Sequence, residues 1–494
     1  MAARSTRPYW VLLGLFAAGF ICLLAFRLGI VPLTPEKSAA PEPVSPSRIS
    51  GQDTWMQIEL NSRKIGYAHS VLSRTAAGFS LNETLFMKIN MLGVVQELHM
   101  ATSADLKPDL SISRFDFSLQ SARFDFKVRG KVAPGPEMQL NMNIAGTSRE
   151  MTIELEKPPY LTAGILYAAA RDGDLSPGKR FSYPIFDPST MQLQPVTIEV
   201  KGTETLTVMG KKQNMRKLAI DFKGAEQTAW LAPNGEVVKE KGLLGMTLKK
   251  VSRKKALAGL DVDPGQDLAE LAAVQVKQKL DNPRGISELV VAIQGIPFDG
   301  LGLDGGRQTL SGNRLRIETE NTINIDGQTA APDSRTFAGA LAAGPFIQSD
   351  HPEIKQLAEK LTAAENSRLE KAEKLVSWVY ENIEKRPVLS IPDALSTLKT
   401  RTGDCNEHAL LLAALARAAG VPAEIEAGLV YLNGRFYYHA WNRLYLGQWI
   451  TADAVFGQLP ADATHIRLVK GGPDKQMDLM PVIDRIQLTI INWD

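Results

Sequence analysis

The sequence predicts an α+β protein: a long antiparallel β-rich region, then a compact domain in which helices come first and strands second. Three observations carry that expectation. Residues 54 to about 253 alternate apolar and polar side chains in short runs, the period of a half-buried strand. From Asp350 to Ala419 the period changes to that of amphipathic helices. From Ala423 to Asp453 alternation returns, broken at Asn433-Gly434.

The elements follow in chain order. Tyr9 to Phe26 is an apolar run of 18 residues, long enough to span a bilayer as a helix. Arg4 and Arg7 precede it and Arg27 follows, so the positive-inside bias puts the N-terminus in the cytoplasm and the bulk of the chain outside it. The run is long for a cleaved signal, no small-x-small site follows directly, and Ile21 before Cys22 does not suit lipoprotein processing. An uncleaved single-pass signal anchor over 9–31, with a cytoplasmic tip over 1–8, is therefore expected, on the extracytoplasmic or periplasmic side of an inner membrane. Residues 32–50, with five prolines, read as a semi-extended linker.

Residues 51–253 are expected to form a curved antiparallel sheet or open barrel. Trp55–Leu60, Ser113–Leu119 and Ala122–Val128 alternate, Trp230–Val238 carries an Asn-Gly turn, and a short helix fits Leu161–Ala170. Phe115, Phe117, Phe124 and Phe126 read as sheet core in preference to a lipid cavity. Residues 254–345 form a smaller mixed region, with a helix over Gly265–Leu280, strands over Ser287–Gln294 and Arg314–Thr319, and a Gly-rich turn at Asp299–Gly306. Residues 346–494 form the last domain. Asp350 caps a helix opened by Pro352, and further helices cover Arg368–Ile383, a segment from Pro392, and Cys405–Ala419. Strands over Ala423–Tyr431, Arg435–Tyr445 and Trp449–Asp453 complete it.

Composition narrows the function classes. The chain of 494 residues has a net charge of +2, which gives no reason to expect nucleic-acid binding. Its two cysteines cannot make a disulfide framework, and Cys22 lies in the apolar run, so Cys405 is expected to be a free thiol. The six histidines are scattered without metal-ligand spacing, and no Gly-rich phosphate loop follows a strand, so neither metal nor cofactor is implied.

Cys405 carries the chemistry. It stands in Arg401-Thr-Gly-Asp-Cys-Asn-Glu-His408 ahead of an apolar helix, where unpaired N–H groups and the helix dipole favour thiolate. His439 follows in one strand and Asp453 in the next: a nucleophile, a base and an orienting acid. Tyr437, His439 and Trp441 share a strand face. A three-residue loop at Leu446–Gln448 sets Asp453 opposite Trp441 and diagonal to His439, within reach. His408, one turn along the helix from Cys405, ranks second as base. The Cys405 N–H is a natural oxyanion donor, and the Trp441 indole is a candidate for the second.

The segments Arg401–Ala409, Ala413–Ala423, Tyr438–Asn442 and Trp449–Ala454 resemble, in order and spacing, the transglutaminase-like superfamily of the papain-like fold group. The resemblance covers residues 346 to about 470. It departs at Asn442-Arg443, where an acid is usual, and at Ala454, where Pro or Thr is frequent. It implies that Cys405 is the nucleophile, His439 the base and Asp453 the orienter in a thioester acyl-enzyme mechanism on amides or esters. A hydrolytic peptidase or amidase is expected, with a protein or peptide as substrate. A protein-crosslinking transamidase is the alternative, as is a non-catalytic envelope scaffold whose β-rich region binds a cell-envelope partner. The anchored layout is similar to bacterial members of the family.

Overall fold

In the computed structural model, residues 51–494 are described apart from 92, 122–123, 145–146, 172–173, 260–266, 323–334 and 389. The expected anchor and linker lie outside the described residues. Among the described residues, no helix is long and apolar enough to cross a membrane.

The alternating runs of the first half pair into one fourteen-stranded antiparallel sheet. Eight strands, from Gln52–Leu60 to Thr147–Glu154, meander outward in sequence order. Six more, from Arg180–Asp187 to Met246–Lys250, meander back, and the last pairs with the first. The two edge strands are therefore consecutive in the chain. They are joined by the helix Thr162–Arg171, buried from Gly164 to Ala170. Tyr160, just before that helix, bridges to Ile185 of one edge strand. The sheet curls. Phe115 and Phe186 are ten places apart in strand order, yet their ring centroids are 5.4 Å apart. Phe115, Phe117 and Phe126 are buried in the core within the curl. Alternation forces this, because one face of a curled sheet can be kept dry only inside it.

The C-terminal half builds on a second sheet. Its order is Val274–Gln275, Arg435–Tyr445, Ala423–Leu432, Ile466–Lys470, with Trp449–Ala452 also on Arg435–Tyr445. Helices Pro352–Thr362, Arg368–Asn382 and Ala394–Thr400 surround the Cys405–Ala418 helix. That helix is buried at every residue from Glu407 to Ala416, as its near-continuous apolar sequence requires. A third sheet runs Gln308–Ser311, Arg314–Glu318, Glu288–Gln294, Gln487–Trp493. Strands from 254–345 thus pair with strands from 346–494 in both smaller sheets.

Two local expectations differ from the structure. The cap before Pro352 is His351, whose ring accepts from the Glu353 N–H, while Asp350 is taken by Arg149 at 2.7 Å. The helix expected over Gly265–Leu280 is one short turn, Leu268–Ala272, capped by Asp267. Val274 leaves it to pair with Phe436, because a β-branched residue beside an open strand edge gains more from the ladder than from another helical turn.

Candidate active site

The Cys405 helix begins on a doubly satisfied cap. Asp404 accepts from the Asn406 N–H at 2.8 Å, and Glu407 accepts from the Asp404 N–H at 2.9 Å, which closes a capping box. The box needs Gly403, since a Cβ there would lie 2.3 Å from the Glu407 Cβ. No acceptor among the described residues takes the Cys405 N–H, which is left pointing out of the helix mouth. Cys405 is the free cysteine of the described chain and is half-buried.

The strand Arg435–Tyr445 lies beside this helix mouth. Its Ala440 N–H lies close enough to the Cys405 sulfur to favour the charged form, which places the thiol near His439 along the strand. His439 presents Nε2 to Asp453 Oδ2 at 2.7 Å. With Nε2–H donated to the carboxylate, Nδ1 is the nitrogen left to accept a proton.

Asp453 arrives as the sequence predicts. The strands pair Tyr445 with Trp449 and Asn442 with Ala452 around the loop Leu446–Gln448, so the next place in the ladder sets Asp453 against Trp441. There the ladder stops. Asp453 bridges to Gln458, and its Oδ1 accepts from the N–H groups of Val455 and Phe456 at 2.7 and 3.3 Å. The carboxylate is fully buried. Burial would raise its pKa, but His439 and His465 outweigh burial and hold it well below the usual carboxylate range.

His465 is the residue that sequence reasoning missed. Its Nε2 meets the same Asp453 Oδ2 at 2.9 Å, and its Nδ1 lies 3.2 Å from the Asp462 carbonyl and 3.4 Å from Asp462 Oδ1. The ring is wholly buried. Burial would lower its pKa, but the two carboxylates raise it, and each ring nitrogen faces an acceptor, the arrangement of an imidazolium donating from both. Burial would raise the Asp462 pKa, but His465, Thr464 and Arg284 outweigh it and hold the carboxylate well below the usual range, and Arg284 reaches its Oδ2 at 2.8 Å. A chain of alternating charge, Asp453, His465, Asp462, Arg284, thus backs the His439 ring. Gly428 makes room for it, since a Cβ there would strike the Ile466 carbonyl at 2.0 Å. One ligand atom each of His439, Asp453 and His465 lies within 4.8 Å of the others, so among the described residues these three have the spacing that could also hold a metal ion. Their 2.7 and 2.9 Å contacts on one oxygen are those of hydrogen-bonded acid–base pairs.

Three expectations for the site change. The thiol is not drawn toward thiolate. Burial pushes it well above its ordinary value, Asp404 pushes the same way, the Ala440 N–H opposes, and Glu407 and Asp453 add to the rise. The sequence context shows the helix mouth but not the depth of cover or the acids around it. The Trp441 indole is unavailable as an oxyanion donor because it donates to the buried Glu426 at 3.1 Å. His408 turns its Nδ1 to the Asp404 carbonyl at 2.6 Å, and burial lowers its pKa, so it is tied to the helix cap.

Residues 355–454 match the family model described as the Transglutaminase-like superfamily. The chain carries a transglutaminase-like domain. No curated protein matches it. Three solved structures are similar to parts of it. A candidate cysteine protease from Cytophaga hutchinsonii is 18% identical over 42% of this chain and 87% of its own, with a TM-score of 0.26. The periplasmic domain of TgpA from Pseudomonas aeruginosa, bound to ethylmercury, is 20% identical over 34% and 73%, with a TM-score of 0.25. A β-barrel-like protein of unknown function from Brucella abortus is 13% identical over 40% and 95%, with a TM-score of 0.31.

Proposed function

We propose that this chain is a thiol acyl-enzyme of the transglutaminase-like superfamily, most simply a hydrolase of amide or ester bonds in protein or peptide substrates. The supporting observation is that the strand whose Ala440 N–H touches the Cys405 sulfur also carries His439, locked by its Nε2 onto a buried, ionised Asp453. Cys405 bonds to the substrate carbonyl carbon as its proton passes to His439 Nδ1. The oxyanion takes the Cys405 N–H. The carbonyl re-forms, the C–N or C–O bond breaks, and His439 returns the proton to the leaving amine or alcohol. Water, deprotonated by His439, then cleaves the thioester and restores the thiol. An amine in place of water gives transamidation. Because the thiol rests protonated, His439 acts as a general base during attack, not as the partner of a preformed thiolate. The chain is held by the Tyr9–Phe26 run with its bulk outside the cytoplasm, and the fourteen-stranded sheet is the surface for a cell-envelope partner.

The test is to trap the acyl group from cell-envelope extract on full-length protein and identify it by mass spectrometry on the Cys405 peptide. An adduct is expected in the wild type and none in His439→Ala. The reading fails if no adduct forms and iodoacetamide alkylation of Cys405 runs at one rate with or without His439. Incorporation of a labelled amine at the same carbonyl separates transamidation from hydrolysis.

A further inference from the structure

Between Thr205 and Ile220 the chain has four basic residues and no acid, and between Lys249 and Lys255 it has five and no acid. Folding brings the two stretches together. The hairpin that joins Gln192–Val208 to Lys211–Phe222 pairs from Val208↔Lys211, whereas the next strand joins only at Arg216, so the tip overhangs the sheet. At that tip Met209 is 58% exposed beside exposed Lys211 and Lys212. Between the hairpin and the Met246–Lys250 strand runs a groove of about 620 Å³ lined by Lys239, Lys249, Lys250 and Lys255. Lys249 and Lys250 are paired with Glu59 and Glu236, and Lys239 lies 4.4 Å over the Trp230 ring. Lys211, Lys212 and Lys255 have no carboxylate partner among the described residues.

The chain enters the fold at this same end. Gln52 donates to the Asn234 carbonyl at 3.1 Å in the neighbouring hairpin turn, the Val251 N–H donates to the Trp55 carbonyl, and Arg253 covers the Trp55 ring. Residues 27–50 are 24 in number, and a chain reaches at most about 3.5 Å per residue, so on the anchored reading this end is tethered within roughly 85 Å of a bilayer. An exposed methionine among unpaired lysines has an apolar tip and a cationic collar. A small soluble anion would match the collar alone, whereas a lipid surface matches both.

We propose that this lysine-rich end docks on an anionic lipid surface, with Met209 in the headgroup layer and Lys211, Lys212 and Lys255 on headgroup phosphates. The proposal rests on the anchored reading above and adds an orientation to it. A lysine near such a surface contributes about a fivefold factor, so losing three weakens docking about a hundredfold and reversing them weakens it further.

The test places p-benzoylphenylalanine at position 209 of the full chain, reconstituted in nanodiscs of phosphatidylglycerol or of phosphatidylcholine. Lipid crosslinks are expected in phosphatidylglycerol. They should fall at least tenfold in phosphatidylcholine, at high salt, and in the K211E/K212E/K255E variant, whose changes are all at exposed positions. Co-elution with both kinds of disc but no crosslink overturns docking and leaves the anchor standing. Co-elution with phosphatidylglycerol alone, with crosslinks, supports docking and removes the anchor. Co-elution with neither overturns both.

Discussion

Replacing His465 tests the charge chain behind the site. In His465→Phe a buried cation between two carboxylates is lost, while a planar ring of similar width is kept. At an effective dielectric of about 20, unit charges at the observed 2.9 Å to Asp453 and 3.4 Å to Asp462 attract by about 6 and 5 kcal/mol. The imidazolium's own desolvation cancels several kcal/mol of this, so truncation should cost about 3–5 kcal/mol, the usual cost of stranding a buried charge. The pH dependence carries a definite sign. His465 is raised on folding, so its contribution is complete below about pH 6.5, its unfolded value, and is lost as pH rises through the folded value. Asp453 and Asp462 are depressed, so theirs is complete above about pH 4 and is lost as pH falls toward their folded values. The stability gap between wild type and His465→Phe in urea unfolding should therefore be widest between about pH 4 and 6.5 and narrow in alkali. A double-mutant cycle with Asp462→Asn should return a coupling of at least about 1 kcal/mol. A gap below 1 kcal/mol, or one constant from pH 5 to 10, would refute the buried imidazolium.

Asp404→Asn keeps the helix cap but removes an acid that pushes the Cys405 thiol up, so alkylation of Cys405 near pH 8 should run several-fold faster with stability within about 1 kcal/mol of wild type. Gly403→Ala drives a methyl into Glu407 and should break the capping box, costing about 1–3 kcal/mol in urea unfolding and slowing Cys405 acylation. Arg307→Met leaves the Ala461 and Asp462 carbonyls, now held at 2.9 and 2.6 Å, without a donor; a loss of about 3–5 kcal/mol is expected, with activity falling as well.

The candidate site was legible where local rules govern it. Gly403-Asp404 before an apolar run marks a helix start, and a three-residue loop fixes the face of Asp453. Both signals lie within a few residues of what they predict. His465 gave no such signal. It sits just before the strand Ile466–Lys470, and it reaches Asp453 only because Gly428 lets that strand approach Ala423–Leu432 closely. The rise in the thiol pKa was equally hidden, since it depends on burial in the folded chain and on Asp453, 48 residues away in sequence. The large sheet was legible as alternation, but not its order. Nothing local specifies that its first and fourteenth strands pair while its eighth and ninth become edges.

The region between the large sheet and the C-terminal helices has a structural role that its weak patterning conceals. Arg284 reaches Asp462, the far end of the charge chain, and also donates to the Tyr431 carbonyl. Arg307, almost fully buried, donates to Thr451 and to two carbonyls in the turn between Asp453 and His465. The turn that follows Asp453 is thus held by guanidinium groups from more than a hundred residues upstream. Five donors in a rigid plane can fix several carbonyls at once, which a turn rich in buried acceptors cannot do for itself. The geometry at Asp453 is therefore a property of residues 284 to 465 together: the matched segment supplies Cys405, His439 and Asp453, and the preceding strands and arginines hold the turn beside them.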